Sequence, residues 1–353
     1  MVDMDPPPVA ETTISSSSIS TVHPDIMETH IFKLLDASAL ASASCVSSQI
    51  YSLASDETLW TNICNSTWPS TDNPRIRRVI SSFPKGPRAF FSDSVTNPHT
   101  ISTTTANSSS SFPVNRDRTS RLISAVDIYY QKRHVFSKVV ETESFGNRSP
   151  FRVELLDPRD TVPARIPHPV DERMMLELGD RFTLSWILID PIRRRAMNLS
   201  SYKPVIVERR WLPGEQVHMR YGWVFYSGPG EEGSATEYVK FGISLTWEEC
   251  QSGVMHVTGV SLDLEDMYGN QMSGKESLAI IQKGMAGIRG SVKGREEEGR
   301  RRYEEYMEMR RERILSVISI KEPERFHHSL YVYGAFRLFI FATLGLLLFR
   351  RFF

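Results

Sequence analysis

Apolar residues recur along this chain with two different periods, and the change of period divides it into a helical part and a β-rich part. Between residues 23 and 69 they return every three to four positions, which predicts three short helices. Pro24 suits the first turn of the first helix. Asp36 or Ser38 can cap the second helix, and Asp56 can cap the third. A bundle this small seldom folds alone, so its apolar surplus predicts contact with another surface.

From residue 122 onwards, apolar and polar residues alternate with period two, which predicts β-strands. Residues 123–130 and 135–140 are separated by a polar turn and predict a hairpin. Residues 184–190 are apolar on both faces, as expected for a central strand of a sandwich. Two later strands carry five large inward residues each, namely Val217, Met219, Tyr221, Trp223 and Phe225 in one, and Val239, Phe241, Ile243, Leu245 and Trp247 in the other.

The remaining pattern completes an antiparallel sandwich over residues 121–290. Residues 254–264 predict a further strand with a bulge at Gly259, and the prolines at 163–169 predict a loop. Six to eight strands with no intervening helices favour a sandwich over a βαβ fold. The predicted fold class is therefore α+β.

The chain ends with three predicted helices of different character. Residues 276–288 return to helical spacing and predict a helix laid against the sandwich. Residues 293–313 are dense in both charges and predict a projecting stalk, with a short coiled-coil contact as the alternative. About twenty mostly apolar residues from Leu330, followed by Arg350 and Arg351, predict a transmembrane anchor. A buried or partner-binding helix is the alternative for this last segment.

These patterns divide the chain into six regions. They are a disordered tail at 1–22, a helical bundle at 23–69, a linker with a Ser/Thr-rich loop at 70–120, the sandwich at 121–290, the charged helical stalk at 291–329 and the anchor at 330–353. The tail and the loop are rich in Ser, Thr and Pro, a composition that cannot bury enough apolar surface to offset the entropy of ordering.

The charge balance and the distribution of reactive residues argue against nucleic-acid binding, metal binding and catalysis. Lysine plus arginine and aspartate plus glutamate each number 42, so no overall field attracts nucleic acid. Cys45, Cys64 and Cys250 are too few and too scattered for a disulfide framework or a zinc site, and they indicate a reducing compartment. The histidines are dispersed, and no protease, hydrolase or phosphate-loop motif is present. The sequence therefore predicts no catalytic residue, no metal and no cofactor.

The helical bundle carries an ordered set of apolar residues that closes with a more specific run. The set is Pro24, Ile26, Ile31, Phe32, Leu35, Leu40 and Val46, and the run is Leu53-Ala54-Ser55-Asp56 followed by Leu59-Trp60. This order resembles the F-box, the motif by which a substrate receptor docks on the Skp-type adaptor of a cullin RING ubiquitin ligase. The run from Ser66 to Pro69 looks similar to plant members of that family. The resemblance implies that these apolar residues, together with Ile50, contact the adaptor.

The resemblance also implies a function. A protein of this family is a non-catalytic substrate-recognition subunit of an SCF-type (Skp, cullin, F-box) E3 ubiquitin ligase, and it would hold an unknown protein or glycoprotein target near the ubiquitin donor. An anchor at 330–353 would place it on the cytosolic face of a membrane, and without one it would lie in the cytoplasm or nucleus. The alternative function is a membrane-anchored carbohydrate or protein binding module with no ligase role.

The β-rich region loosely resembles the phloem lectin-like sandwich that often accompanies a plant F-box. If that likeness holds, the sandwich would bind a glycan or a protein degron. Trp186, Trp211, Trp223 and Trp247 are the candidates for stacking on a sugar ring, but core packing is the expected role for most of them.

Overall fold

The computed structural model describes residues 22–95, 121–143, 149–210, 215–228, 237–250, 253–287 and 296–316. Nearly all of the predicted tail, most of the Ser/Thr-rich loop and the predicted anchor at 330–353 lie outside these residues. Within the described part of the chain, no helix combines the length and the apolar character needed to cross a membrane. The anchor therefore stays a prediction.

The amino-terminal part is helical, as its period predicts. Helix α1 (Pro24–Ile26) continues through a π-helical turn (Met27–Ile31) and a 3₁₀ turn (Phe32–Leu34). The next helices are α2 (Ala37–Ala43), α3 (Ser48–Ala54), α4 (Glu57–Thr67), α5 (Pro74–Ser81) and α6 (Gly86–Val95), with a 3₁₀ turn (Pro69–Asp72) between α4 and α5. Folded helices thus occupy residues 74–95 of the region predicted as a linker.

Side-chain caps explain where these helices begin. The Asp36 side chain caps α2 and the Asp56 side chain caps α4, as the sequence predicts. Ser47 is a further cap, because its hydroxyl accepts a hydrogen bond from the Ile50 backbone amide at 3.2 Å. This cap splits the predicted second helix into α2 and α3, so that Val46 lies in a turn.

The β-rich part forms two antiparallel sheets. Its strands are β1 (Leu122–Tyr130), β2 (Arg133–Thr142), β3 (Arg152–Glu154), β4 (Val162–Pro167), β5 (Phe182–Asp190), β6 (Arg195–Asn198), β7 (Ile206–Arg210), β8 (Gln216–Tyr226), β9 (Tyr238–Glu249) and β10 (Val254–Glu265). One sheet has the order β2-β1-β5-β6, and the other has the order β3-β10-β9-β8-β7, with β4 also paired to β10. The predicted α+β class and the β1–β2 hairpin are confirmed.

Two details of the predicted sandwich are wrong. The expected proline loop contains β4, an edge strand in which Pro163 and Pro167 are tolerated because an edge position needs fewer ladder donors. The expectation of no intervening helix fails at α7 (Glu172–Arg181), which begins at the side-chain cap of Asp171. The bulge at Gly259 is confirmed, because the β9–β10 register shifts between Val257 and Gly259.

The central strands β1 and β5 are buried on both faces because a layer packs against each face. Ile123, Ile187 and Ile189 point to the helical side and pack with residues of α4, α5 and α6. Val126 and Trp186 point the other way, into the core between the two sheets. The helical part is therefore a third layer of the same structure.

Two helices complete the described residues. Helix α8 (Gly274–Ala286) begins with a Ser273–Glu276 capping box and packs on the sandwich, as predicted. Residues 296–316 form helix α9, which lies against the outer face of the six-stranded sheet. Tyr306 of α9 is fully buried and packs with Val224 and Met267. The prediction of a projecting stalk is wrong for these residues, because aromatic side chains fix the helix to the sheet.

Candidate functional site

The helical bundle has its own small core. Six buried residues form it, namely Met27, Phe32, Leu40, Ala54, Leu59 and Trp60. The Trp60 indole donates a hydrogen bond to the Ala54 carbonyl oxygen at 2.8 Å. This bond pairs the one polar atom of the ring, so burial of the indole leaves no hydrogen-bond donor unsatisfied.

Burial divides the eleven residues predicted to contact an adaptor. Four of them are core residues of the bundle, namely Phe32, Leu40, Leu59 and Trp60. The other seven reach the surface wholly or in part, namely Pro24, Ile26, Ile31, Leu35, Val46, Ile50 and Leu53. The four core residues hold the shape of the bundle, and the seven others are available to a partner.

The largest exposed apolar side chains include two that the predicted site omitted. Leu34 is 84% exposed and Tyr51 is 45% exposed, beside Val46 at 66% and Ile26 at 50%. Leu34 and Leu35 are consecutive, and so are Ile50 and Tyr51. A short helix buries one stripe, so consecutive apolar residues are a signal that at least one of each pair faces solvent. We name the exposed set Ile26, Ile31, Leu34, Val46 and Tyr51 the apolar surface of the bundle.

Arg88 of α6 ties the bundle together from outside the predicted motif. Its guanidinium donates to the Ser55 hydroxyl at 2.8 Å and to the Ser44 hydroxyl at 2.9 Å. The same group lies 5.0 Å from the centre of the Tyr51 ring and 5.6 Å from that of Trp60. One side chain of α6 thus contacts residues from three parts of the bundle.

Aromatic packing joins the bundle to the sheet. Phe91 of α6 lies 5.6 Å from Trp60 and 5.1 Å from Trp68, measured between ring centroids. Trp68 in turn belongs to the cluster that packs on Ile123 and Ile187 of the four-stranded sheet. The sequence predicts more apolar side chains than the small bundle can bury by itself. Some of them are covered by this chain's own helices and sheet, and the others are left exposed.

Three of the four tryptophans considered for stacking on a sugar ring are core residues. Trp186, Trp223 and Trp247 are fully buried in the sandwich, so the core packing expected for most of the four is confirmed. Large apolar rings on central strands pack against the facing sheet. Trp211 lies outside the described residues.

A groove on the sandwich was not foreseen from the sequence. It lies between α9 and the six-stranded sheet and has a volume of about 520 Å³. Its lining consists of Val224, Tyr226, Tyr238, Arg301, Arg302, Glu305, Glu308 and Met309. The Tyr226 and Tyr238 rings pack at a tilt of 53°, with their centroids 5.0 Å apart. The groove therefore combines an aromatic pair with charged groups of both signs.

The arrangement described above is that of a small helical bundle with exposed apolar side chains, packed on a β-sandwich through α6. Such an arrangement is typical of a protein-binding receptor. The F-box-like family model matches residues 27–66, which run from the π-helical turn to the end of α4. No solved structure shows a significant match.

Three relatives from Arabidopsis thaliana match most of the chain. F-box protein At2g27310 is 38% identical over 308 residues, covering 84% of this chain and 88% of the relative. F-box protein At3g44326 is 39% identical, covering 83% and 81%, and Probable F-box protein At2g36090 is 40% identical, covering 85% of each. This chain belongs to the plant F-box protein family. The likeness of its β-rich region to phloem lectins stays a prediction.

Proposed function

We propose that this protein is a substrate-recognition subunit of an SCF-type E3 ubiquitin ligase and that the apolar surface of the bundle docks on the Skp-type adaptor. The observation that carries the proposal is the exposure of Ile26, Leu34 and Val46 within a bundle whose core is already closed. Several large apolar side chains left exposed on one small bundle indicate a contact with another protein. Each would contribute about 1.5–3 kcal/mol if a partner buried it fully.

The catalytic contribution of such a subunit is proximity. The bundle binds the adaptor and, through it, a cullin RING ligase, while another surface of the same chain holds the target. Holding a target lysine near the ubiquitin donor raises its effective concentration, so the subunit needs no catalytic residue of its own.

We place target recognition at the groove between α9 and the six-stranded sheet. The tilted ring pair Tyr226 and Tyr238 offers an aromatic contact, and Arg301, Arg302 and Glu305 offer charged contacts beside it. A protein segment with an aromatic or aliphatic side chain next to charged residues fits this chemistry. The burial of three tryptophans removes the observation that favoured a glycan.

Charge substitutions on the apolar surface test adaptor docking. In binding measurements between the full-length protein and a plant Skp-type adaptor, Leu34→Asp and Val46→Asp should each weaken affinity more than tenfold, because each places a charge in an apolar contact. Both side chains are exposed, so neither change disturbs the core of the bundle. Leu176→Asp on α7 is the matched control, since Leu176 is 71% exposed and lies on the sandwich side. Equal affinity of all three variants and the wild type would refute the docking surface.

We further propose that residues 330–353 tether the ligase subunit to the cytosolic face of a membrane. The support is the apolar run from Leu330 to Phe349 and the paired arginines, Arg350 and Arg351, that follow this run. Deletion of residues 330–353 should move the protein from the membrane pellet to the supernatant of fractionated cells. An unchanged distribution would contradict the tether and leave adaptor docking unaffected.

A further inference from the structure

Three side chains from distant parts of the chain meet at one end of the six-stranded sheet. His168 follows the last residue of β4, Glu215 precedes the first residue of β8, and Glu249 is the last residue of β9. The Nδ1 atom of His168 lies 4.0 Å from an Oε2 of Glu215 and 4.0 Å from an Oε2 of Glu249. Antiparallel pairing through β10 brings these strand ends together, although the residues are far apart in sequence.

The imidazole of His168 is nearly enclosed and makes no hydrogen bond with any of the residues that the structure describes. Its side chain is 8% exposed, and its Nε2 atom is buried with no partner among the described residues. The 4.0 Å separations from both carboxylates are too long for hydrogen bonds. A nearly buried ring held against two carboxylates without a hydrogen bond to either is unfavourable, because the two anions repel each other and the Nδ1 atom that faces them has no hydrogen bond to them.

A cation between the three groups would remove this conflict. The three ligand atoms lie within 4.8 Å of one another, and two of the separations are 4.0 Å. The point equidistant from the three atoms therefore lies at most about 2.5 Å from each of them. Bonds from zinc to imidazole nitrogen and carboxylate oxygen are about 2.0–2.2 Å long, so shifts of a few tenths of an ångström complete the geometry. The two glutamates are more than 40% exposed, which gives an ion access from solvent.

We propose that His168, Glu215 and Glu249 form a binding site for a divalent transition-metal ion and that Zn²⁺ fits it best. Imidazole nitrogen combined with carboxylate oxygen suits zinc, whereas magnesium and calcium prefer oxygen ligands alone. Three protein ligands leave one position of a tetrahedron for water. The ion ties the segment after β4 to the ends of β8 and β9, and so it stabilises this end of the sandwich, because the ligands come together only in the folded chain.

Metal titration of the full-length protein, with affinity tag removed and metal stripped by chelator, tests the site. Calorimetric titration with ZnCl₂ should give one ion per chain, and excess zinc should raise the unfolding temperature by about 2–5 °C. Titration with CoCl₂ should give the visible absorption of four-coordinate cobalt, which protonation of the imidazole cannot produce.

Carboxylate variants decide whether the observed binding belongs to this site. Glu215→Gln and Glu249→Gln should each lower zinc affinity at least tenfold and abolish the cobalt absorption, while both exposed positions leave the fold intact. Glu154→Gln on β3 is the matched control, because Glu154 is an exposed carboxylate of the same sheet, and it should bind zinc as the wild type does. The proposal is overturned if the wild type binds neither metal, or if binding survives unchanged in Glu215→Gln and Glu249→Gln.

Discussion

Ser70 donates two hydrogen bonds to the carboxylate of Asp127, one from its backbone amide at 2.9 Å and one from its hydroxyl at 2.6 Å. Ser70 lies in the 3₁₀ turn after α4, and Asp127 lies in β1, fully buried. The Ser137 hydroxyl adds a third hydrogen bond at 2.8 Å. Hydrogen bonds to a buried charged group are about twice as strong as neutral ones. The helical part and the sandwich are therefore joined by a buried polar contact as well as by apolar packing.

Replacement of Asp127 should weaken this junction. In Asp127→Asn the side chain keeps its shape, but an amide group faces donors that previously met a carboxylate. We expect a loss of about 2–3 kcal/mol in the free energy of unfolding, measured by urea denaturation. Asp25→Asn, which changes an exposed aspartate in α1, should alter stability by less than about 0.5 kcal/mol. A comparable loss in both variants would contradict the special role of Asp127.

The same carboxylate should make stability depend on pH. Burial raises the pKa of Asp127, although the hydrogen bonds from Ser70 and Ser137 and the charge of His134 act in the opposite direction. A folded-state pKa above the unfolded value means that the folded protein binds the proton more tightly. The stability that this tighter proton binding adds to the folded state is fully present below the unfolded pKa of about 3.9. It is lost as the pH rises through the folded pKa. The free energy of unfolding of the wild type should therefore exceed that of Asp127→Asn by less and less as the pH rises from about 4. A difference that grows with pH would contradict this prediction.

The hydrogen bonds that Arg88 donates to Ser44 and Ser55 should be sensitive to replacement of the arginine by lysine. Lysine keeps the charge but cannot donate to the Ser44 and Ser55 hydroxyls at once, because it lacks the planar fork of arginine. We expect Arg88→Lys to destabilise the bundle by about 1–2 kcal/mol and to weaken adaptor binding as well. Arg77→Lys on α5, at an exposed arginine, is the control. Hydrogen exchange across α2 to α4 should increase for Arg88→Lys alone.

Two neighbouring residues of α9 test whether this helix is held against the six-stranded sheet or projects from it. Tyr306 is buried, and its hydroxyl donates to the Asp266 carbonyl oxygen at 2.8 Å, whereas Met307 is 37% exposed. Tyr306→Ala removes a large buried ring and a hydrogen bond, a loss of about 3–5 kcal/mol for an aromatic side chain. Amide exchange over residues 296–316 should then accelerate strongly, while Met307→Ala should leave it nearly unchanged. Similar exchange in the two variants would mean that α9 is not held through Tyr306.

The cysteines should differ in reactivity. Burial raises the pKa of the Cys64 thiol to about 12, so almost no thiolate is present near neutral pH. Cys45 is exposed. With a disulfide reagent at pH 8, Cys45 should react in the native protein, and Cys64 should react only after denaturation. Cys250 is partly exposed, so the comparison uses a Cys250→Ser background, in which Cys45→Ser should remove the fast phase. Labelling of Cys64 in the native protein would contradict this prediction.

Local features followed from the sequence because they depend on neighbouring residues. The caps at Asp36 and Asp56, the alternation along β8 and β9, and the bulge at Gly259 all match. Each is fixed by the preferences of a few consecutive residues or by a period of two or 3.6 residues. The F-box order was recognisable for the same reason, since its residues lie on consecutive short helices.

Long-range pairings could not be predicted in the same way. Residues 184–190 are apolar on both faces, which indicates a covering layer on each side, but the sequence pattern predicts only a linker where α5 and α6 supply one of these layers. The charged helix at 296–316 carries only a thin apolar stripe, and its docking depends on an outer sheet face that offers Gly222 and Val224. The sequence of α9 does not show which surface its apolar stripe contacts, and the strand sequences do not show which helix covers the outer face of the sheet.

The sequence by itself determined the helical and β-rich parts, their caps and turns, and the family to which the bundle belongs. Only the tertiary structure decided which bundle residues are core and which are exposed, that Ser70 meets Asp127 across 57 positions, and that His168, Glu215 and Glu249 converge. The physical reason is that periodicity reports which side of an element is apolar. Which surface then covers that side depends on the shape and polarity of elements that are distant in the chain.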